Sequence, residues 1–370
     1  MLYLLNVDKE VTGTFSDAKL LNHNACRAMK RLSQQAIARE LGVSQALVSL
    51  SLRGKRQGIA EQTYRRIRAY ASAHGYLLRN ESPTGGAGLE TVGYLLRSPL
   101  RLAHSSNFFH PVHQGMHDQL RERGLHTTFL GSEDEIELPR LVEQLGQDAN
   151  YAGTIVFGQV DLAFLQQLAE VPRPLVTINA RYPGLSHSVQ PNEYEAAEKL
   201  LQHLILLGHK SFLYLGSRQP SAVSLARRQG FEAAARKLGI EMGENRLFEA
   251  PWSLRQEGRV LAEQILERHG PRHGTAWVCV GSLLARGVID AFHRRGIEAG
   301  RDISVGTLDD SPAAREEEPG LTTSGTSPEE LGREAAMLIL NEGRERPARK
   351  ADYVLPAQLT PRESTGAPPL

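Results

Sequence analysis

Cysteine is almost absent: 370 residues hold two, Cys26 and Cys279, and no Cys-x-x-Cys pair. That excludes a disulfide scaffold and a thiolate zinc site, and it fits a reducing compartment. Long apolar runs are missing too, since none approaches the roughly 18 residues of a membrane-crossing helix. The opening Met1–Leu5 is apolar, but Asp8 and Glu10 follow it, with no basic start and no small-residue cleavage site. No secretory signal is expected there, so the expected location is the cytoplasm, away from membranes. A surplus of one charge is lacking as well, because 43 Lys and Arg face 42 Asp and Glu. With 41% apolar residues, that balance excludes a disordered chain. Catalytic signatures are also missing: there is no Gly-x-Ser-x-Gly elbow, phosphate loop or His-Glu-x-x-His helix. No enzyme and no cofactor are expected.

The near-neutral total hides an uneven distribution. Between Arg27 and Asn80 stand 11 Lys and Arg against only Glu40 and Glu61, a local charge of +9, which leaves −7 on everything after Asn80. A small basic module on an acidic body is the footprint of a polyanion-binding head. Within it, Ser33 is placed to cap a helix over Gln34–Leu41 that Gly42 ends. Ser44 is placed to cap a second over Gln45–Leu52, and a third runs from about Glu61 to His74.

The stretch Ala36–Ser49 has the parts of a helix-turn-helix. Ala38 is small where two helices cross, Gly42 permits a left-handed turn, and Val43 and Val48 fill the wedge. The second helix would enter the major groove with Gln45, Ala46, Ser49 and Leu50 at the bases. Ser33, Ser44, Ser49, Arg53, Lys55 and Arg56 are the candidate phosphate contacts.

The chain divides by composition. Residues 1–28 form an extension, either disordered or upstream of a start at Met29, and 29–80 form the helix-turn-helix domain. Residues 81–90 are a Gly-rich linker, 91–363 a two-lobed body and 364–370 a tail. In the body, short β-branched runs such as Thr91–Leu96, Gly153–Phe157 and Ala276–Val280 alternate with amphipathic stretches such as Pro111–Gly124 and Glu193–Leu207. That alternation predicts parallel sheets flanked by helices, an α/β body, and two lobes with a ligand cleft between them.

These pieces occur in an order that resembles the lactose-repressor/galactose-repressor (LacI/GalR) family of transcription regulators. The head carries Ile37-Ala38, Leu41–Ser44, Val48-Ser49, Arg66-Ile67 and Gly75-Tyr76. The body carries Asn107-Phe-Phe109, Leu207-Gly-His209, Arg227 with Gly230-Phe231, Asp302–Val305, Leu308-Asp-Asp310, Pro319–Thr323 and Arg362–Thr365. The resemblance implies a dimeric repressor that binds duplex operator DNA, with a body of the periplasmic-binding-protein (type I) fold. It implies a sugar-like or other polar effector held by Phe108 and Phe109 from one lobe and Arg227 from the other; His110, which follows them in this sequence alone, is a further candidate contact.

Three positions depart from the family pattern. Glu81–Gly88 replaces the segment that forms a hinge helix on operators, and Gly costs about 1 kcal/mol per helical position and Pro about 3. Leu50 replaces a polar or basic recognition residue, and Gly281-Ser282 stands where Asn-Asp is usual, leaving Ser282 and Asp309 as the candidate polar contacts. Two readings stay open: a regulator controlled by its effector, and a constitutive DNA-binding protein with a degenerate pocket. His110, His113 and His117 line one helix face, and His113 with His117 could share a metal. No carboxylate or thiolate at fixed spacing completes that set, so no metal site is assigned.

Overall fold

The computed structural model describes residues 34–52, 59–73, 91–97, 106–218, 221–342 and 349–369. The chain separates into a unit ending at Gly88 and a unit beginning at Leu89. The N-terminal extension, Ser33, Arg53, Lys55, Arg56 and the 81–90 linker lie outside the described residues.

In the first unit, α1 (Gln34–Leu41), α2 (Gln45–Leu52) and α3 (Glu61–Ala73) enclose Ile37, Ala38, Val48, Leu52, Ile67 and Ala71. Among the described residues this is a small core, so the helix ends matter more than usual. The Ser44 hydroxyl accepts the Leu47 N–H at 3.2 Å, which caps α2. Gly42 has φ of +64°, the left-handed turn between α1 and α2 that a side chain would strain. Arg66 donates to the Leu41 carbonyl and ties α3 to the end of α1.

The second unit opens with β1 (Thr91–Leu96), α4 (Ser106–Arg121), β2 (His126–Ser132), α5 (Leu138–Gln147), β3 (Tyr151–Phe157), α6 (Leu162–Leu168), β4 (Leu175–Ile178) and β5 (His187–Pro191). It continues with α7 (Glu193–Leu206), β6 (Phe212–Ser217), α8 (Ala222–Lys237), β7 (Leu247–Ala250), α9 (Arg255–His269), β8 (Ala276–Cys279) and α10 (Ser282–Arg294). Last come β9 (Ser304–Thr307), α11 (Pro312–Arg315), β10 (Thr322–Gly325), α12 (Pro328–Glu342), β11 (Asp352–Leu355) and β12 (Gln358–Thr360).

The strands form two sheets, in the orders β11-β5-β4-β3-β1-β2 and β12-β10-β9-β8-β6-β7. All pairings are parallel except β10 with β12. Each sheet is the centre of one lobe. In the first, Ile155 and Phe157 face α4 and α12, while Val156 faces α5 and α6. That period of two within an apolar run is what a sheet covered on both faces requires. The second lobe has one continuous core, in which Trp277 and Phe292 meet edge to face at 4.9 Å.

The chain passes between lobes three times: after β5, between β10 and α12, and between β11 and β12. One boundary moves from the sequence expectation, because Ser364 and Gly366 belong to the second lobe and not to a tail. Buried Ser364 donates to the Val305 carbonyl and accepts the Thr322 N–H, and His209 Nε2 lies 2.9 Å from the Gly366 oxygen. The helix expected from Pro111 starts earlier, at Ser106. Among the described residues, no helix is long and apolar enough to cross a membrane.

Candidate functional site: a recognition helix and an interlobe cleft

In the head, burial sorts α2 into two faces. Val48, Ser51 and Leu52 are buried, while Ser44, Gln45, Ala46 and Leu50 are exposed and Ser49 is partly so. Positions 45 and 49, and 46 and 50, are one helical turn apart, so the four candidate base contacts share the outward face. Ser44 already spends an acceptor lone pair on its cap, and its O–H can still donate to a phosphate.

In the body, the interlobe cleft holds a cavity of about 450 Å3. One wall is first-lobe chain, with Gln159, Asn179, Arg181 and Gln190. The other is the start of α7 and one face of α8, with Asn192, Glu193, Val223, Ala226 and Gln229. Asn179 has φ of +57°, its side chain is buried, and among the described residues no hydrogen-bond partner meets its Oδ1. A strained backbone with an unsatisfied buried oxygen costs stability, and such costs gather at binding sites. Arg181 is engaged elsewhere, on Asp352 at 2.5 Å, so the free polar groups facing the cavity are mainly carboxamides. A carboxamide both donates and accepts, which suits hydroxyl groups.

Behind this wall lies a charged cluster built from four segments of the second lobe. Arg227 on α8 donates through Nε to Glu193 Oε1 at 3.0 Å and through Nη1 to the Val280 carbonyl at 2.7 Å. Its Nη1 is also 3.8 Å from Asp309 Oδ2. Asp309 Oδ1 accepts the Ser282 N–H at 2.9 Å and the Ser282 hydroxyl. The pair Arg227 and Glu193 is 11% and 8% exposed, so water screens it little. Burial pushes the Glu193 and Asp309 carboxyls up, against the field of Arg227. Burial also works against the Arg227 charge, but the two carboxylates outweigh it and raise its pKa.

Two glycines make this arrangement possible. Gly230 brings α8 against the start of α7, where a Cβ would sit 2.9 Å from the Glu193 carbonyl oxygen. A Cβ on Gly281 would be 3.0 Å from Ser253 Oγ and 3.3 Å from Asp309 Oδ2, so the site leaves little room for the usual Asn there.

The structure thus brings Arg227, Ser282 and Asp309 together. Ser282 is buried, and its N–H and hydroxyl both serve Asp309, so its place is behind the carboxylate and not at the cavity surface. The adjacent Asp310 is engaged by Arg362 at 2.8 Å and Thr323 at 3.0 Å. The first-lobe candidates stand apart from the cavity lining. Phe109 stacks on Phe157 at 6.0 Å and meets Phe108 edge to face at 5.2 Å, while His110 is exposed. His113 lies against Tyr94 at 4.9 Å and His117 at 6.0 Å, and burial lowers its pKa, helped by the charges of His117 and His110. Among the described residues, no three His, Cys, Asp or Glu side chains gather as a metal site. Sequence reasoning missed Asn179, Gln159 and Glu193. The one signal available for Glu193 was its place at the start of the amphipathic stretch Glu193–Leu207.

Comparison with known proteins agrees with this geometry. Residues 201–365 match the periplasmic binding protein-like domain model. The HTH-type transcriptional regulator MalR of Streptomyces coelicolor is 29% identical, over 90% of this chain and 96% of its own length. The maltose regulon regulatory protein MalI of Escherichia coli is 24% identical, over 89% and 98%. Among solved structures, the lac repressor dimer bound to operator and an anti-inducer aligns with TM-score 0.67 at 19% identity, covering 91% of this chain and all of that one. An Enterococcus faecium LacI-family regulator with bound ribose aligns with TM-score 0.63 at 22% identity, covering 75% and 99%. Helix-turn-helix head, two-lobed body and near full-length matches agree: along nearly its whole length the chain is similar to transcriptional regulators of the LacI/GalR type.

Proposed function

We propose that this protein is a cytoplasmic, sequence-specific repressor whose hold on operator DNA is set by a small polar metabolite bound between its lobes. A homodimer presents two heads to two half-sites. The carrying observation is the cavity, with the unpartnered Asn179 oxygen in its wall. A degenerate, silent pocket has no need to keep a buried acceptor unsatisfied, and this favours the responsive reading over the constitutive one. Relatives solved with ribose or cellobiose make a sugar-like effector the reference class. Asn179, Gln159 and Gln229 supply hydroxyl-matching amides, with Arg227, Ser282 and Asp309 behind them. Phe108, Phe109 and His110 approach an effector only if the lobes close further.

An effector shifts operator affinity only by the difference in its own affinity for the DNA-competent and incompetent lobe arrangements. On DNA, Gln45 reads one base pair, and Ala46 and Leu50 offer apolar contact to thymine methyls. Ser33, Ser49, Arg53, Lys55 and Arg56 hold phosphates.

Selection from random duplexes at about 150 mM salt, the range where specific and non-specific binding separate, tests the DNA half of this reading. An enriched palindrome with fixed half-site spacing supports it; no enrichment overturns it. Against the enriched duplex, Gln45→Ala relaxes preference at one base pair. Lys55→Ala weakens all duplexes alike and flattens the salt slope by about one unit.

A further inference from the structure

The geometry points to Glu193 as the residue that sets the charge class of the effector: it is a built-in counter-ion on Arg227 that admits neutral polyhydroxyl ligands and rejects carboxylates and phosphates. The inference rests on the effector-responsive reading above and sharpens it.

A guanidinium binds an anion well along one of two edges, each offering two parallel N–H donors. Nε and Nη2 make one edge, and Nη1 and Nη2 make the other. Glu193 Oε1 takes Nε at 3.0 Å, and the Val280 carbonyl takes Nη1 at 2.7 Å. The Nε–Nη2 edge has therefore lost its Nε donor to the protein, and one of the two N–H groups of Nη1 is spent as well, so an incoming anion meets a guanidinium whose side edge is closed. The charge balance agrees. One arginine stands between two carboxylates, Glu193 and Asp309, at 3.0 and 3.8 Å. A further anion would enter a cluster that already carries a negative surplus, at a depth where water screens poorly.

Glu193 is also fixed in place. Its main chain packs on α8 at Gly230, and it follows Asn192, whose Oδ1 accepts the Glu195 N–H at 3.1 Å to cap α7. The same residue belongs to the cavity wall, so the counter-ion and the ligand space are contiguous. Besides Glu193 and the Asp352-paired Arg181, what the cavity offers a ligand is carboxamides, the Asn179 oxygen among them, groups that match hydroxyls and carry no charge.

The test uses the full-length protein and sulfate as the anionic probe, at matched ionic strength. Binding is read from the saturable part of the thermal shift and from isothermal titration. Glu193→Gln keeps the shape and removes the charge, and it is expected to bind sulfate about tenfold or more tightly than the parent chain, the scale of one charge-assisted hydrogen bond. Glu193→Gln combined with Arg227→Gln is expected to lose that gain. Two results overturn the inference: saturable sulfate binding by the parent chain that Arg227→Gln abolishes, or a folded Glu193→Gln protein with no gain.

If Glu193→Gln does not fold, the parent chain decides through glucose against glucuronate and maltose against glucose 6-phosphate. Binding of either anionic sugar then refutes the inference, and the exclusion of both anions, together with the absence of Arg227-dependent sulfate binding, upholds it. Failure of every neutral sugar to shift the parent protein counts against the effector-responsive reading itself, a separate outcome from the sulfate result.

Discussion

The two walls of the cleft are built by opposite means. On the second-lobe side, Arg227, Glu193, Ser282 and Asp309 come from α7, the middle of α8, the start of α10 and the loop after β9, and each is held by another. On the first-lobe side, aromatic packing holds Phe108 and Phe109 apart from the cavity, and the polar lining, Arg181 aside, is a set of amides with no mutual hydrogen bond among the described residues. The second wall is a network and the first is a collection. Removing one member of a buried network leaves charges unmatched, whereas removing one member of a collection leaves the others as they were.

The largest expected effect follows from that contrast. Arg227→Ala strands two buried carboxylates and should lower unfolding free energy by about 3–5 kcal/mol, read by denaturant titration. A loss under about 1 kcal/mol would place the cluster in the weakly coupled regime of exposed pairs. Phe109→Ala should cost roughly 2 kcal/mol, below the full core value because the ring is half-buried, and should leave ligand affinity unchanged. A parallel loss of ligand affinity would return Phe109 to the binding surface.

Asn179→Gly sharpens the comparison in the other direction. It relieves a positive φ and removes an unsatisfied oxygen, so stability should hold or rise by up to about 1 kcal/mol while sugar affinity falls. Stability lost together with affinity would mean that Asn179 holds the lobe together. His110→Ala, at an exposed position, should change stability by no more than about 0.5 kcal/mol and leave sugar binding intact.

A pH effect of modest size belongs to the second lobe. His209 bonds Thr275, Ser304 and Gly366, and burial lowers its pKa. The folded state resists a proton that the unfolded chain accepts below about pH 6.5, so stability is full above that pH and declines as pH falls through the lowered value. His209→Asn should flatten the acid limb of a melting-temperature profile, and an unchanged limb would assign it to other groups.

The sequence makes the periodic parts of the molecule legible. The three head helices match to within a residue because caps and glycines mark their ends. The strand at Thr322–Gly325 escapes notice because it is polar throughout, yet it is buried. Thr322 bonds Thr365 and Arg362, and Thr323 bonds Asp310, partners about 13 to 43 positions distant that no local pattern announces. The edge strand Asp352–Leu355 is mostly exposed and lacks the apolar run that marks β3. At the site, Arg227 and Asp309 are legible through the family pattern. Glu193 is not, since its partner lies 34 positions away, and Asn179 is a single amide at a strand end. Phe108 and Phe109 read as stacking faces from sequence, but their neighbours include Phe157, a strand residue that fills the same space.

Effector control of DNA binding is the claim on which everything else depends. Its most direct test is the affinity of the full-length protein for its enriched duplex, measured across a panel of neutral mono- and disaccharides. The account predicts that at least one sugar changes that affinity severalfold, and that Asn179→Gly reduces the response without reducing duplex binding in its absence. Duplex affinity indifferent to every sugar, in a protein that binds one of them, would contradict it.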